Sequence, residues 1–476
     1  MIEVTDSSQA IHKNTGSFRD PMGYIYEGND RIYRFVQEAG REQYETIPPS
    51  VYQQAIEKNF LIPTKELERE EWPSQEANTA YILEHERVPY VSYPYEWCFY
   101  QLKDAALHHI DFQLYLLQND VVLKDASAYN IQFIGAKPVF IDLLSLASYQ
   151  QGEYWLGYRQ FCTQFLNPLL LRSILGITHN SWFRGNLEGV PTSDIALMLP
   201  LRKKFNWKIF THILLQNYFD KVAIKNEDNA MTKASSQKGF SKLAYEGLLR
   251  QMRKWVSRLE PKGNSKTYWG RYAHTNIYDS DEAIKKKQFI AEFTSTIKPE
   301  LLIDLGCNTG DYSIISLEHG AESVVGFDFD QTSLELAYQR SKTLAKPFLP
   351  LFLDAANPSP AQGWLQSERC GFNKRAKADA MIALAFIHHL AVAKNIPLAQ
   401  LVQWLLNIAP QGIIEFIPKE DITVIKMLAL RKDIFADYNQ DNFELILSQH
   451  TKIIKKEIIT KSGRTLYWHQ KNELAS

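Results

Sequence analysis

The chain has 476 residues, more than one hydrophobic core usually supports, so two or three domains are expected. Hydrophobic residues make up 45% and charged residues 22% of it, which excludes a disordered or fibrous protein. Fifty-three Lys and Arg balance 54 Asp and Glu to a net charge of -1, so no global field favours nucleic acid or an anionic membrane.

Cysteine usage and the N-terminal sequence predict a cytoplasmic protein. The four cysteines, Cys98, Cys162, Cys307 and Cys370, form no C-x-x-C pair and no disulfide-like framework. The first residues carry no basic flank before an apolar core, so no secretory signal is predicted. The most apolar stretch, residues 165–177, is too short and too interrupted to span a bilayer.

The first 225 residues are predicted to form an α+β domain. Short aromatic-rich strands are indicated at residues 23–26 and 31–36, and a helix at residues 101–117. From residue 155 to about 224 the pattern is mostly helical, which continues the same domain.

A set of polar residues in this half is typical of phosphoryl transfer. Asp125, Asn130 and Asp142 follow the order D-x4-N, strand, turn, strand-D. In phosphoryl-transfer enzymes such a set supplies a base and two metal-holding side chains at one cleft. The spacing is similar to the catalytic loop and metal-binding segment of kinase-like folds, so the resemblance implies a nucleotide or metal site here.

Several parts of the kinase pattern are absent. No His-Arg or His-Gly precedes Asp125, Leu143 and Leu144 follow Asp142, and no clear V-A-I-K lysine is present. By their sequence context, Arg34 and Lys103 are poor substitutes for that lysine. Three interpretations stay open: a β-hairpin whose Asp and Asn side chains cap turns, a kinase-like scaffold kept for binding, and active phosphotransfer.

A linker and a connecting helix are predicted over residues 226–264. Residues 226–239 are small and polar, which is typical of a mobile linker, and a helix follows from about residue 241 to 259. An aromatic segment before the next helix fits a lid over a cofactor or a buried core. It contains Tyr268, Trp269, Arg271, Tyr272 and Tyr278.

The next feature is a short apolar run followed by a glycine turn and a helical pattern. Residues 301–305 fit a buried parallel strand, and the helical pattern covers residues 312–319. Between them, Gly306 and Gly310 permit positive φ and let backbone N–H groups approach a ligand. The sequence predicts a helix N-terminus that hosts the polar end of a cofactor, although a purely structural turn uses the same residues.

Acidic residues end the strands that follow. The second strand, residues 323–328, ends in Asp328, from which a carboxylate accepts hydrogen bonds from both ribose hydroxyls. The third strand, residues 347–353, is followed by Asp354 and Ala355. Further strands are predicted at residues 379–384 and 411–416, and a terminal antiparallel hairpin at residues 450–459 and 464–468.

Two other interpretations of the glycine turn fit the sequence less well than the binding of a different cofactor. A nicotinamide dinucleotide site needs G-x-G-x-x-G, and Asn308 stands where the second glycine is required. Cys307 is a candidate nucleophile, but the neighbouring apolar strand and the lack of a paired base favour a small buried side chain.

These features together resemble a known family. Five strand-helix units closed by a hairpin are typical of the Rossmann-like, seven-stranded sheet of class I S-adenosylmethionine (SAM)-dependent methyltransferases. Residues 266–469 resemble that family, most of all its nodulation-type subset. The resemblance implies SAM as cofactor and a methyl acceptor, either a small molecule or a protein, as partner. It implies no metal for methyl transfer, and the sequence offers no evidence for nucleic acid.

The resemblance also implies roles for individual residues. The first acid and the glycine loop would hold the methionine moiety, Asp328 the ribose, and Asp354 with the Ala355 backbone the adenine edge. The loop from Leu384 to Leu390 would border the methyl group and the acceptor. The cofactor-binding residues implied are Asp304, Gly306, Asn308, Gly310, Asp328, Asp354, Ala355 and Leu384.

The two histidines of that loop leave a choice open. A neutral imidazole near pH 7 can take the proton that an oxygen or nitrogen acceptor loses, which makes His388 the candidate base. The alternative is a pair at a helix start in which one histidine caps and the other packs, and this is the interpretation favoured for His389.

The whole pattern predicts a SAM-dependent methyltransferase with two domains. An α+β domain of degenerate kinase-like type is predicted over residues 1–225, and the methyltransferase domain over residues 265–476, with the first aiding substrate recognition. One rival is a nucleotide-binding or phosphotransfer protein that uses Asp125, Asn130 and Asp142, with the methyltransferase fold as a platform. The other is a noncatalytic adaptor.

Overall fold

The computed structural model describes residues 11–28, 30–74, 76–218, 241–263, 280–429 and 431–472. The predicted linker over residues 226–239 and the aromatic segment from Tyr268 to Tyr278 lie outside these ranges. Within them, no helix is long and apolar enough to cross a membrane.

The N-terminal half begins with a five-stranded antiparallel sheet in the order β1-β2-β3-β5-β4. The strands are β1 (His12–Lys13), β2 (Gly23–Glu27), β3 (Arg31–Gln37), β4 (Thr64–Glu66) and β5 (Thr79–Glu86). Two helices, α1 (Glu38–Thr46) and α2 (Pro49–Glu57), connect β3 to β4. The alternation of buried and exposed residues along β5 is incomplete, because helix α1 also contacts this strand.

A long helix and two small antiparallel ladders follow the sheet. Helix α3 (Phe99–Gln118) is largely buried, and it ends where Asp120 takes a positive φ of 55°. Strand β6 (Val121–Leu123) pairs with β9 (Leu146–Ser148), and β7 (Ile131–Ile134) pairs with β8 (Lys137–Phe140). The two ladders place the segments around residues 125–130 and 142–145 side by side.

The remainder of this half is helical. The helices are α4 (Tyr158–Phe161), α5 (Asn167–Leu170), α6 (Asn180–Gly185), α7 (Thr192–Met198), α8 (Leu201–Lys204), α9 (Trp207–Ile209) and α10 (Lys242–Val256). Turns of π geometry extend α4, α5 and α9. Helix α10, predicted to be a connecting helix, packs along α3 and buries Tyr245, Leu249 and Met252.

The C-terminal half contains a seven-stranded sheet in the order β12-β11-β10-β13-β14-β16-β15. The first five strands in that order are parallel, and β16 runs antiparallel between β14 and β15. The strands are β10 (Leu301–Leu305), β11 (Ser323–Asp328), β12 (Phe348–Phe352), β13 (Ala380–Ala383), β14 (Gln411–Phe416), β15 (Thr451–Ile458) and β16 (Thr465–Lys471).

Helices separate the parallel strands and cover both faces of the sheet. They are α11 (Ser280–Ile297), α12 (Asp311–Glu318), α13 (Gln331–Ser341), α14 (Phe372–Arg375), α15 (Leu398–Leu406), α16 (Ile422–Leu428) and α17 (Gln440–His450). Because both faces are covered, the central strands are apolar throughout, as the sequence predicted. All the loops that follow the parallel strands meet at one edge, the carboxyl edge of the sheet.

The two halves share a continuous hydrophobic core, in which buried residues of α3 and β7 pack with those of β11, β12 and α13. The Phe133 ring meets the Tyr338 ring edge-on, with centroids 6.2 Å apart. The Tyr338 hydroxyl lies 2.9 Å from Asp104 Oδ2 and 3.0 Å from the Ala136 carbonyl oxygen, so it can donate to either. The N-terminal half therefore packs against the β12 side of the sheet.

Candidate functional site

The glycine turn after β10 forms the centre of the carboxyl edge. Gly306 and Gly310 have φ values of 80° and 86°, and Asn308 has a φ of 49°, which asparagine tolerates better than most residues. A Cβ on Gly310 would lie 2.5 Å from the Phe348 ring, so only glycine fits there. The turn leads directly into α12, whose N-terminal N–H groups point toward the same edge.

Asp304 lies buried at the end of β10, and Ser313 on α12 donates a hydrogen bond to its Oδ2 at 2.6 Å. Burial raises the pKa of Asp304 to about 7, the Ser313 hydrogen bond opposes the rise, and the charge of Asp328 adds to it. A cationic ligand bound beside Asp304 would lower this raised pKa and so favour the ionised carboxylate.

Asp328 at the end of β11 is held by backbone groups. Its Oδ2 accepts from the Asn308 N–H at 2.8 Å, and its Oδ1 accepts from the Asp330 N–H at 2.8 Å. Burial raises the pKa of Asp328 to about 6, although these hydrogen bonds oppose the rise. The contact with Asn308 joins the glycine turn to the second strand.

Two further predicted residues follow β12. Asp354 Oδ1 accepts from the Ala356 N–H at 3.1 Å, and both Asp354 and Ala355 are partly exposed. The structure therefore places Asp304 and Asp328 at the ends of β10 and β11 and Asp354 just beyond β12, three neighbouring strands of one sheet.

The loop after β13 lies against the glycine turn. A Cβ built on Gly306 would lie 3.6 Å from the Leu384 carbonyl oxygen and 3.3 Å from the Phe386 ring. Ala385 has a φ of 49°, and its N–H donates to Glu415 Oε2 at 2.6 Å. Glu415 on β14 thus fixes the loop that was predicted to border the methyl group.

Glu415 also forms a buried ion pair. Lys286 Nζ on α11 lies 2.7 Å from Glu415 Oε2, and both side chains are almost completely shielded from solvent. The ammonium group of Lys286 also lies 5.0 Å from the centre of the Tyr312 ring. Sequence analysis did not identify Lys286, because a lysine in a Lys-rich helix is usually solvated.

His388 is buried in the same loop, with 1% of its surface exposed, and neither ring nitrogen has a hydrogen-bond partner. It stands at the start of a π-helical turn but makes no cap hydrogen bond. Burial lowers the pKa of His388 well below its usual value, and the nearby His389 and Arg464 lower it further. The imidazole is therefore neutral at pH 7, and it is a weaker base than an exposed histidine.

Cys307 in the glycine turn is buried, as the sequence predicted. Burial raises the pKa of its thiol well above the usual value, and the charges of Asp328 and Asp304 raise it further. A neutral thiol of this kind is a poor nucleophile.

The N-terminal half reaches the carboxyl edge through helix α6. Arg184 donates to the Asn357 carbonyl oxygen at 2.6 Å and to the Pro358 carbonyl oxygen at 3.1 Å, just beyond Asp354. Gln331, at the start of α13, donates to Asn180 Oδ1 at 2.9 Å. Nothing in the local sequence of α6 signals these contacts.

The residues of the predicted phosphoryl-transfer set lie together at a second position, in the N-terminal half. Asn130 Nδ2 lies 3.1 Å from Asp125 Oδ2 and 3.4 Å from Asp142 Oδ2. The Ser145 hydroxyl lies 2.9 Å from Asp125 Oδ1 and 2.8 Å from Asp142 Oδ2. Burial raises the pKa of Asp125 to about 6, and the charge of Asp142 raises it further. Sequence analysis did not identify Ser145.

Arg34, on β3, adds a basic side chain to this second cluster. Its Nη1 lies 3.1 Å from Asp142 Oδ1, whereas Lys103 binds Glu260 and the Leu259 carbonyl elsewhere. The prediction that both residues are poor substitutes for the kinase lysine stays a prediction, although the sheet brings Arg34 beside Asp142. In the described ranges, no group of three or more His, Cys, Asp or Glu is arranged to hold a metal ion.

Comparison with known proteins adds solved structures of low similarity. The N-methyltransferase NodS from Bradyrhizobium japonicum WM9 is 13% identical, covers 41% of this chain and 99% of its own, and superposes with a TM-score of 0.30. Magnesium protoporphyrin IX methyltransferase (ChlM) from Synechocystis PCC 6803 is 18% identical, covers 43% and 93%, and has a TM-score of 0.30. No protein-family model matches the chain.

Because these TM-scores are low, the fold assignment rests on the strand order. A parallel sheet with a glycine turn after its central strand and an antiparallel strand next to its edge defines a class I methyltransferase fold in the C-terminal half. A relative that matches almost the whole chain has a much higher sequence identity. The chain belongs to the family of the nodulation protein NoeA of Rhizobium meliloti (strain 1021), to which it is 45% identical over 462 residues, 96% of each chain.

Proposed function

We propose that the C-terminal half binds SAM at the carboxyl edge of its sheet and transfers the methyl group to an acceptor. One observation carries this proposal: the glycine turn and Asp328, from neighbouring strands, are joined by the 2.8 Å hydrogen bond from the Asn308 N–H. Asp304 and Asp354 flank this contact on the same edge. The arrangement presents acids to both a cationic group and a ribose.

The polar groups at this edge suit the functional groups of SAM. Each carboxylate oxygen of Asp328 takes one backbone N–H and keeps a lone pair for a ribose hydroxyl. The Asn308 Oδ1 atom is buried without a hydrogen-bond partner, so it is available to accept from the ammonium group of the methionine moiety. Asp304 supplies the negative charge for that group, and Asp354 with the Ala355 backbone takes the adenine edge.

Methyl transfer requires alignment more than covalent chemistry from the protein. When bound, SAM supplies a methyl group activated on a sulfonium: an acceptor atom attacks the methyl carbon in line with the C–S bond, and the sulfur leaves as the neutral thioether of S-adenosylhomocysteine. The chain contributes positioning and the exclusion of water, and the Leu384 to Leu390 loop lies beside the turn for this purpose.

His388 is the proposed base. His388→Gln is expected to lower kcat without changing the dissociation constant of SAM, and unchanged turnover would remove it from this role.

The acceptor is proposed to be a small molecule or a protein held partly by the N-terminal half. The contacts of Arg184 and Asn180 at the carboxyl edge support this, because they place the N-terminal half beside the cofactor site. The family relationship with a nodulation protein supports a role for the methyl transfer in nodulation. Mass spectrometry of cell extracts incubated with labelled SAM would identify the methylated product.

Calorimetric titration of the full chain with SAM tests the cofactor proposal. Asp328→Ala is expected to abolish measurable SAM binding while circular dichroism stays unchanged. The control is Glu322→Ala, because Glu322 is an exposed acid just before the same strand, at the opposite end from Asp328. Unchanged affinity in Asp328→Ala would contradict the ribose assignment, and no SAM binding by the unmodified chain would contradict the proposed function.

A second candidate function is nucleotide binding or phosphotransfer in the N-terminal half. The observation that favours it is the convergence of Asp125, Asn130, Asp142 and Ser145, with Arg34 3.1 Å from Asp142. The two carboxylates are ligands that Mg²⁺ accepts when it carries a nucleotide phosphate. The kinase-like pattern of the sequence supports the same interpretation.

Titration with ATP and Mg²⁺ separates this candidate from the first. Binding that is lost in Asp142→Asn and kept in Asp120→Asn would support a nucleotide site, since Asp120 is an exposed acid just before β6. ATP binding without SAM binding would make this the main function. Absence of ATP binding would leave the cluster a structural one.

A further inference from the structure

Large apolar side chains are exposed along three consecutive short helices of the N-terminal half. Leu197, Leu201, Phe205 and Trp207 are 77%, 75%, 89% and 71% exposed. Single exposed leucines are ordinary on a protein surface, but four such side chains within residues 197–207 form a patch that needs an explanation.

The helices hold these side chains in place rather than leaving them on a loose loop. Leu201 and Phe205 are four residues apart in helical conformation, so they project from the same side of α8. The rings of Trp207 and Phe210 stack with their centres 5.9 Å apart. Ile209, between these rings in sequence, is buried and anchors the segment to the protein core.

The same segment is strongly basic. It carries Arg202, Lys203, Lys204 and Lys208, and residues 195–218 contain no acidic residue. Two exposed basic residues lie near Lys208: Lys254 in the last turn of α10 and Arg258 just after that helix ends. Burial lowers the pKa of Lys208, and these two charges lower it further. We call the exposed apolar residues 197, 201, 205 and 207 and the basic residues 202–204 the basic-apolar patch.

We propose that the basic-apolar patch docks the protein onto the surface of a lipid bilayer that carries anionic headgroups. An amphipathic helical segment with Lys and Arg beside Leu, Phe and Trp binds in the plane of such an interface, with its apolar side chains among the upper acyl chains. The net charge of the whole chain is -1, so the attraction is local to this patch.

Other partners fit the patch less well. Protein–protein interfaces are depleted in lysine, and two of the three basic residues in the patch are lysines. Single-stranded nucleic acid stacks its bases on aromatic rings, whereas the exposed Leu197 and Leu201 are aliphatic and offer no ring for stacking. A bilayer uses both the aliphatic and the aromatic side chains.

Sedimentation of the full chain with lipid vesicles tests this inference. The chain is expected to bind vesicles that contain about one-third phosphatidylserine and to leave pure phosphatidylcholine vesicles largely unbound. Leu201→Gln/Phe205→Gln should lower the partition coefficient on the order of a hundredfold. Lys203→Gln/Lys204→Gln should lower it roughly 25-fold, because each charge near an anionic surface contributes about fivefold.

The matched control is Ile454→Gln/Ile458→Gln. Both isoleucines are exposed on β15, the edge strand at the far end of the sheet from β12, where the N-terminal half packs. This control should bind vesicles as the unmodified chain does. No vesicle binding, equal binding to both lipids, or an equal loss in the control would overturn the inference. So would a dimer, detected by analytical ultracentrifugation, that Leu201→Gln/Phe205→Gln dissociates while vesicle binding stays unchanged.

Discussion

Asp304 combines burial with a position where a cationic ligand is proposed to bind. Its pKa of about 7 means that the free protein exchanges this proton within the neutral pH range. The proposed contact requires the ammonium group of SAM to meet the ionised form, so protonation of Asp304 should compete with binding. SAM affinity should therefore fall as the pH is lowered through 7.

We expect the titration of Asp304 to raise the dissociation constant of SAM roughly tenfold between pH 8 and pH 6, since the ionised fraction of a group with a pKa near 7 falls by that factor. Ser313→Ala removes a hydrogen bond that favours the ionised form, so it should move the midpoint to higher pH. Asp304→Asn should bind SAM weakly and retain only the shallower dependence contributed by Asp328. Calorimetric titration of the unmodified chain and of both variants across this pH range measures these affinities. A pH-independent affinity of the unmodified chain would contradict the role of Asp304.

At the scale of single residues, the sequence predicts what a local pattern specifies. The glycine turn and the acids after β10, β11 and β12 each follow an apolar strand within a few residues, so their meeting at one edge is a consequence of parallel topology. Arg34 and Ser145 join the Asp142 cluster from a different strand and a different loop. Their approach depends on how the sheet and the ladders pack, which no spacing in the sequence expresses.

At the scale of elements, Glu415 connects three parts of the methyltransferase fold. It stands on β14, accepts from the Ala385 N–H after β13, and pairs with Lys286 on α11. Removing one member of a buried ion pair leaves the other charge in a medium that cannot solvate it. The pair therefore ties helix α11 to the loop beside the glycine turn.

Lys286→Met should lower the free energy of unfolding by about 3–5 kcal/mol, because Glu415 loses its countercharge. The double variant Lys286→Met/Glu415→Gln should cost less than the two single variants together, since glutamine still accepts from Ala385 without a charge. Lys455→Met is the control: it breaks a surface pair with Glu292 on the same helix α11 and should cost at most about 1 kcal/mol. Urea denaturation measures the free energy of unfolding of Lys286→Met, Glu415→Gln, the double variant and the control. Strictly additive costs of the two single variants would contradict coupling within the pair.

The elements themselves differ in how far the sequence predicts them. The central strands of the C-terminal sheet are found within one or two residues of their predicted positions, because apolar runs between glycine and acidic residues have few alternatives. The short helices from α4 to α9 and their π turns are predicted only as a mostly helical region. Their boundaries depend on tertiary packing, which overrides the weak local preferences of such short segments.

At the scale of the whole molecule, the two halves act as one packed body. Arg375 of the C-terminal half is buried against Glu96 of the N-terminal half, and its guanidinium also contacts the Tyr90 hydroxyl at 3.0 Å and the Val91 carbonyl at 2.7 Å. The Tyr93 ring lies 4.5 Å from the same guanidinium carbon. The contact lies within a continuous core, so stability in one half depends on the other.

Arg375→Met tests this dependence, because it leaves Glu96 buried without its countercharge, at a cost of about 3–5 kcal/mol. Since the core is continuous, the unmodified chain should unfold in one calorimetric transition, and Arg375→Met should shift that whole transition to lower temperature. Arg250→Met removes only the exposed pair with Glu246 and should shift it little. Two transitions, one of them unmoved by Arg375→Met, would show that the halves fold independently. In that case, SAM binding to the C-terminal half would not stabilise the N-terminal half. With a single transition, SAM should raise the unfolding temperature of both halves together.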